Sequence, residues 1–268
     1  MNLRILTPPH WSVARSLLRW SRRLKVQLAG PYQPVREVIL IGNGVPDNIV
    51  AMLLAHKLNG RRAVGLAKPP GALSAALREL IFQSLIRKVL LLFDQEDRSL
   101  NDAWRSLESE LRRAKMEYRI LSDEERLRVY GCRHGSRQLR VIAVMNGLEA
   151  PYRKHTIEDH LLKICEKLRI YEAPLPHSAE SPDPKELWSR LKEHHERVYR
   201  YILQASMEEL KDAFHHHLKG AQASAGGCQQ LQINGSAQSP ATKSRGAFRV
   251  RLTDYSSHTR DSSTPSAA

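Results

Sequence analysis

Between residues 35 and 170 the chain alternates two hydrophobic periods. Val35–Ile41 is an apolar, β-branched run that stops at Gly42-Asn43-Gly44. It predicts a buried strand closed by a turn. In Pro46–Asn59, Ile49, Met52, Leu53 and Leu58 recur at helical spacing, with Pro46 early and Gly60 after the end. Both boundaries of a helix are thereby marked. Arg62–Ala67 reads as a second short strand, and Pro69-Pro70-Gly71 breaks the chain. Ala72–Ile86 reads as a helix with Leu73, Ala76, Leu77, Leu80, Ile81 and Leu85 inward. Lys88–Phe93 is the most hydrophobic strand, and it ends in Asp94-Gln95-Glu96-Asp97. A helix over Leu100–Lys115 turns Trp104, Leu107 and Leu111 to the core, and Tyr118–Leu121 reads as a fourth strand. Leu127–Cys132 and Gln138–Met145 flank His134-Gly135-Ser136 as a hairpin. Two helices follow, Ile157–Leu168 and Lys185–His217, the second long enough to break in its middle.

Repeated β-α-β order predicts an α/β fold, a parallel sheet with helices on both faces, because parallel strands need crossover connections. Ligands in such sheets bind beyond the carboxyl ends of the strands. Four parts are expected: a basic N-terminal helix or extension (1–34), the α/β domain (35–170), an α-helical appendage (171–219) and a disordered tail (220–268). In the first, Trp11–Leu28 sets Leu17, Leu18 and Leu24 at helical spacing among Arg15, Arg19, Arg22, Arg23 and Lys25. Its simplest reading is a helix docked by its apolar stripe. From Gly220 onward Ser, Gly, Gln, Ala and Thr dominate, too few apolar groups to offset the entropy of ordering.

Composition narrows the class. Hydrophobic residues are 41% and charged residues 26%, which suits a globular protein. No stretch approaches the roughly 18 uninterrupted apolar residues of a membrane span. Cys132, Cys165 and Cys228 stand far apart, which argues against a zinc cluster or a disulfide framework and suits a reducing cytoplasm. The net charge is +14, but residues 1–34 carry +6 and residues 219–268 carry +4 of it, leaving +4 on residues 35–218. A polyanion such as DNA or RNA is therefore expected at the basic ends.

The candidate chemistry is acidic. Asp94 and Glu96 stand at i, i+2 beyond a buried strand, where both can point the same way and share one hard cation. Carboxylate oxygens suit Mg²⁺ or Mn²⁺. Against this, acids at a strand end are often solvated or cap the next helix, and Asp97 lies near the start of the Leu100 helix.

The order of the pieces resembles a family. Val38–Asp47 (VILIGNGVPD) is similar to the first motif of Toprim domains, a strand followed by Glu-Gly-x-x-Asp. Leu90–Asp97 (LLLFDQED) is similar to the second, a strand followed by Asp-x-Asp. Asn146-Gly147-Leu148-Glu149 and Thr156–Leu162 resemble the closing part of a small archaeal and bacterial group of stand-alone Toprim-like proteins, named as domains of unknown function. The resemblance covers about residues 35–170. It implies a Toprim-like, Rossmann-like sheet, a magnesium site on Asp94, Glu96 and Asp47, and work on nucleic acid. It also implies a defect. The motif Glu, a general acid/base or metal ligand, falls on Asn43, and an amide cannot carry that proton.

The remaining motifs add secondary candidates. Gly44 offers backbone freedom at the strand-to-helix turn and an approach for a phosphate to backbone N–H groups. Gly42-Asn43-Gly44 lacks the third glycine of a dinucleotide fingerprint, because position 47 is Asp. Glu158 and Asp159 join the secondary list with Asp97; helix capping by Thr156 and the acids, with His160 solvated, accounts for the same pattern. His155 and Asp159 share a face. His215-His216-His217 closes a helix, where imidazolium is favourable without a metal. No G-x-S-x-G elbow is present, and Cys132 lacks an orienting partner.

Two functions are expected from this pattern. One is a divalent-metal-binding Toprim-like protein associated with nucleic acid, its phosphodiester chemistry reduced or lost at Asn43. The other is a non-catalytic scaffold whose terminal helices bind a protein partner.

Overall fold

A computed structural model describes residues 4–5, 12–28, 38–42, 44–58, 63–67, 73–82, 86–172 and 181–225. The elements in chain order are β1 (Arg4–Ile5), α1 (Ser12–Leu24), β2 (Val38–Gly42), α2 (Val45–Lys57), β3 (Ala63–Ala67), α3 (Leu73–Phe82), β4 (Lys88–Asp94) and α4 (Leu100–Arg113). Then come β5 (Glu117–Glu124), β6 (Leu127–His134), β7 (Arg137–Asn146), α5 (Ile157–Lys167), α6 (Pro184–Arg190), α7 (His195–Gln204) and α8 (Met207–Ala225).

Among the described residues the sheet runs β1-β3-β2-β4-β7-β6-β5. Its first five members are parallel neighbours, and β6 and β5 add on antiparallel. The expected α/β class with helices on both faces is present. Alternation along β4 explains the two layers. Leu90 and Leu92 face a core shared with α1, α2, α5, α7 and α8, whereas Val89 and Leu91 face one shared with α3 and α4. Helix α2 is buried from Asp47 to Ala55, because the sheet covers one side of it and α1 and α7 cover others. Its run Ile49–Ala55 is accordingly apolar all round.

Helix α1 docks by an apolar stripe, but Trp20 takes the inward place expected of Leu18, which is exposed. Leu17, Trp20 and Leu24 are buried, and the Trp20 ring meets Tyr199 of α7 edge-on at 4.8 Å. Trp11 lies outside the described residues.

Three expectations change. Tyr118–Leu121 belongs to the longer edge strand β5, and it is antiparallel. Two-residue connections at Glu125-Arg126 and Gly135-Ser136 leave no room for a crossover, so β5, β6 and β7 form a meander. The helix expected over Lys185–His217 is three helices, interrupted by a 3₁₀ turn at Lys192–His194 and again at Ala205-Ser206. Finally, α8 continues past Gly220 to Ala225. Gly220 is a packing site, since a Cβ there would stand 2.6 Å from Val144 Cγ2 of β7. The rest of the expected tail, residues 226–268, lies outside the described residues.

Strand order positions the site. From β2 the chain crosses to β3 on one side, then from β3 to β4 on the other. The two crossover helices lie on opposite faces. A crevice at such a switch point opens beyond the strand ends, here Gly42 and Asp94.

Candidate functional site

Four carboxylates gather near the carboxyl ends of β2, β4 and β7. Asp94 ends β4, and Asp47 sits in the first turn of α2. Both are buried, and both accept hydrogen bonds from one nitrogen. Asn146 Nδ2, at the end of β7, donates to Asp47 Oδ1 at 2.6 Å and to Asp94 Oδ1 at 2.8 Å. The Ile157 N–H donates to the same Asp94 oxygen at 3.2 Å. Glu158 and Asp159 are buried in the first turn of α5.

Asn146 is held from its other side. His217 of α8 donates from Nε2 to Asn146 Oδ1 at 2.8 Å, which aims the amide N–H groups at the carboxylates. The His160 ring packs edge-on against His217 at 4.5 Å. His160 Nδ1 donates to the Ala213 carbonyl, beside the kink of α8 at Phe214, and its Nε2 accepts from the Gly147 N–H at 2.9 Å. Burial pushes the His160 pKa down to about 3 and that of His217 well below its ordinary value. Both rings are neutral structural members. The expectation of a solvated His160 is corrected: it lies on the apolar stripe Ile157-Leu161-Ile164.

The electrostatics favour a cation or protons. Burial raises the Asp47 pKa well above the carboxylate range, and the charges of Asp94 and Glu158 raise it further, against the Asn146 hydrogen bond. Burial pushes Glu158 up to about 7, with Asp94 adding to the effect. Glu158 Oε2 is buried with no hydrogen-bond partner among the described residues.

Glu96 does reach the same cation as Asp94, and that cation is a lysine. Lys185 Nζ, from the first turn of α6, lies 2.7 Å from Glu96 Oε1 and 3.8 Å from Asp94 Oδ2. Burial alone would lower the Lys185 pKa; the Glu96 hydrogen bond and the charges of Asp94, Glu96 and Glu158 outweigh it, so the net shift is upward. The aim of Glu96 is set by its backbone, at a φ of 60°, and by paired hydrogen bonds with His155 at 2.9 Å each. No three His, Cys, Asp or Glu among the described residues converge as a ready metal cluster. A cavity of about 320 Å³ opens on the α3/α4 side, with Gly42, Asp94, Glu96 and Arg98 among its lining.

The other candidates fall differently. Asp97 is exposed, and the cap of α4 is Ser99, its Oγ accepting from the Asp102 N–H at 3.1 Å. Asp159 is structural. It accepts from the Thr156 N–H at 3.2 Å and the Leu148 N–H at 3.2 Å, and it pairs with His155 at 3.0 Å. Asn43 lies outside the described residues.

Gly44 is not needed for its freedom, since its φ of −149° is ordinary extended backbone. The constrained glycine is Gly42, where a Cβ would stand 2.7 Å from Asn48 Nδ2 and 2.8 Å from Asp47 Cβ. Its absence lets α2 start close enough to the sheet to present Asp47. Gly42→Ala is expected to cost about 1–3 kcal/mol as α2 is forced outward. Gly44→Ala, whose Cβ would meet Asp47 Oδ2 at 3.4 Å, should cost less. Urea midpoints of the two variants check this, and equal midpoints would refute it.

No protein-family model matches the chain, and no curated protein matches it. Among solved structures, a hypothetical protein from Pyrococcus horikoshii OT3 is similar at 14% identity and a TM-score of 0.49, over 71% of this chain and 100% of that one.

Proposed function

We propose that this is a Toprim-like protein that takes Mg²⁺ or Mn²⁺ at Asp94 and Glu96 and associates with nucleic acid, its phosphodiester chemistry reduced or lost at Asn43. One observation carries the reading: Asp94 and Glu96 converge on a single cation. The donor set fits a hard ion. Asp94 and Glu96 would hold it; Glu158, near enough for the Asp94 charge to raise its pKa, has a buried Oε2 with no partner among the described residues. Asp47 is engaged with Asn146 and would contribute charge. Such an ion, once bound, polarises a phosphate oxygen. The residues here would position it and exclude water. Asn43 supplies no proton carrier, so any remaining turnover is slow.

A thermal-shift titration with Mg²⁺ or Mn²⁺ tests the reading. A saturable rise in melting temperature is expected for the wild type, at lower metal concentration for Lys185→Gln, and no rise for Asp94→Ala. If neither the wild type nor Lys185→Gln shifts at millimolar metal, the metal reading is lost. A nuclease assay with Asn43→Glu, on DNA and RNA, then shows whether the motif carboxylate restores cleavage.

The alternative gives the terminal helices to a protein partner. Their apolar faces are already used within the chain, through Leu17, Trp20 and Leu24 of α1 and Leu210, Phe214 and Leu218 of α8. That leaves polar faces for a partner. No helix among the described residues is long and apolar enough to cross a membrane. The cytoplasm remains the proposed compartment, on the composition argument.

A further inference from the structure

Within residues 35–218, whose net charge is +4, bases cluster where β4 and β7 begin. There register places Lys88 beside Arg140, Arg140 beside Gly131 of β6, and Gly131 beside Arg119 of β5. The next row sets Gln138, Arg133 and Glu117 side by side. Cross-strand partners share a face. It is the α8 face, because Lys88 Nζ donates to the Ser224 carbonyl at 3.3 Å in the last turn of that helix. A cavity of about 650 Å³ lies here, with Arg87, Lys88, Arg119, Arg133 and Arg140 in its lining.

The one acid in that lining is Glu117, paired with Arg133 at 2.5 Å. Five bases and one acid leave +4, as large as the excess of the whole interval 35–218. Arg87, Arg119 and Arg140 are exposed, and their side chains have no ion pair or hydrogen bond among the described residues. Like charges on neighbouring strands repel, so the layout weakens the isolated sheet. A row of phosphates would reverse the sign of that effect.

We propose that this sheet face binds the phosphodiester backbone of a nucleic acid. Charge complementarity selects the partner. The ring at the rim, Tyr118, packs edge-on against Tyr130 and its hydroxyl accepts from Arg112 at 2.7 Å, so it is not offered to bases. The contact is therefore to phosphates and insensitive to sequence. Lys88 and Asp94 occupy opposite ends of β4, roughly 20 Å apart at strand rise. The face anchors the polymer at a distance from the carboxylates. The inference deepens the nucleic-acid half of the proposed function and is independent of the metal half.

The test is fluorescence anisotropy of the full chain with labelled single- and double-stranded DNA and RNA across a salt series. Arg119→Glu/Arg140→Glu is compared with Arg15→Glu/Arg19→Glu on α1, and Arg119→Gln/Arg140→Gln serves if the first pair misfolds. The face variant should bind at least about tenfold more weakly, with a log–log salt slope shallower by about 2. Affinity within about twofold of wild type would overturn the inference. If the α1 variant alone loses affinity, this face is refuted while the nucleic-acid reading stands. If the wild type binds no nucleic acid, both fall. Equally tight binding of polyglutamate at this face would overturn the choice of partner.

Discussion

Above pH 7 and without added divalent metal, Glu158→Gln melts at a higher temperature than the wild type. The buried carboxyl titrates near 7 in the folded protein, against an ordinary 4.5. At about 1.4 kcal/mol per pH unit, the ionised form weakens the fold by about 3 kcal/mol. For a unit of this size that is roughly 6–12 °C. The sign follows from linkage. Above pH 7 both states are ionised and the folded state carries the full cost. Between about 7 and 4.5 the folded protein holds a proton that the unfolded chain lacks, so the cost fades as pH falls. The advantage of the glutamine should shrink over that window. His160 and His217 work the other way, because below their ordinary 6.5 only the unfolded chain takes up protons readily. They act alike in both proteins, so the difference between the two melting curves reports Glu158 together with the relief of Asp47, whose pKa the Glu158 charge raises. Added Mg²⁺ should narrow the gap by raising the wild type. Curves that coincide above pH 7 would mean that Glu158 bears no burial penalty.

Asn146→Ala should destabilise the protein by roughly 3–5 kcal/mol. Its side chain is fully buried and joins His217 to Asp47 and Asp94. The truncation leaves an imidazole N–H and a carboxylate oxygen of Asp47 without these partners, each at about 1–3 kcal/mol. It also opens a small cavity. Asn146→Asp keeps the shape and the acceptor for His217, but sets another carboxylate against Asp47 and Asp94. Its deficit should therefore diminish as pH falls toward the carboxylate range. Chemical denaturation at two pH values reads both effects. A loss of less than about 1 kcal/mol in Asn146→Ala would show that the network is not holding the strand ends.

Sequence periodicity located most of the sheet and the helices that pack on it, because those segments obey one rule each. It failed where a connection decides the outcome. Tyr118–Leu121 looks like any short strand, and the two-residue links after it make it antiparallel. Asp94 is legible because it ends an uninterrupted apolar run, and Asp47 because Val38–Asp47 is similar to the first Toprim motif. Lys185 is not, since the ion pairs that define it join residues 89 apart or more. His160 and His217 were within reach. His217 continues the stripe Leu210-Ala213-Phe214-Leu218-Ala221, although three adjacent histidines read as a charged helix end and α8 in fact runs on to Ala225. A polar residue on an apolar helical stripe is a buried polar group in need of partners, and that is the signal to follow.

The reach of the Asn146 network has a consequence for synthesis. Its partners lie 99 residues before it and 71 after it. Asp47, Asp94 and Asn146 are synthesised before Lys185 and His217 exist as chain. A nascent protein halted short of Pro184 thus carries the acid cluster without its ammonium and with the Asn146 amide untethered. The strand ends reach their final charge balance only once Lys185 and His217 have been made.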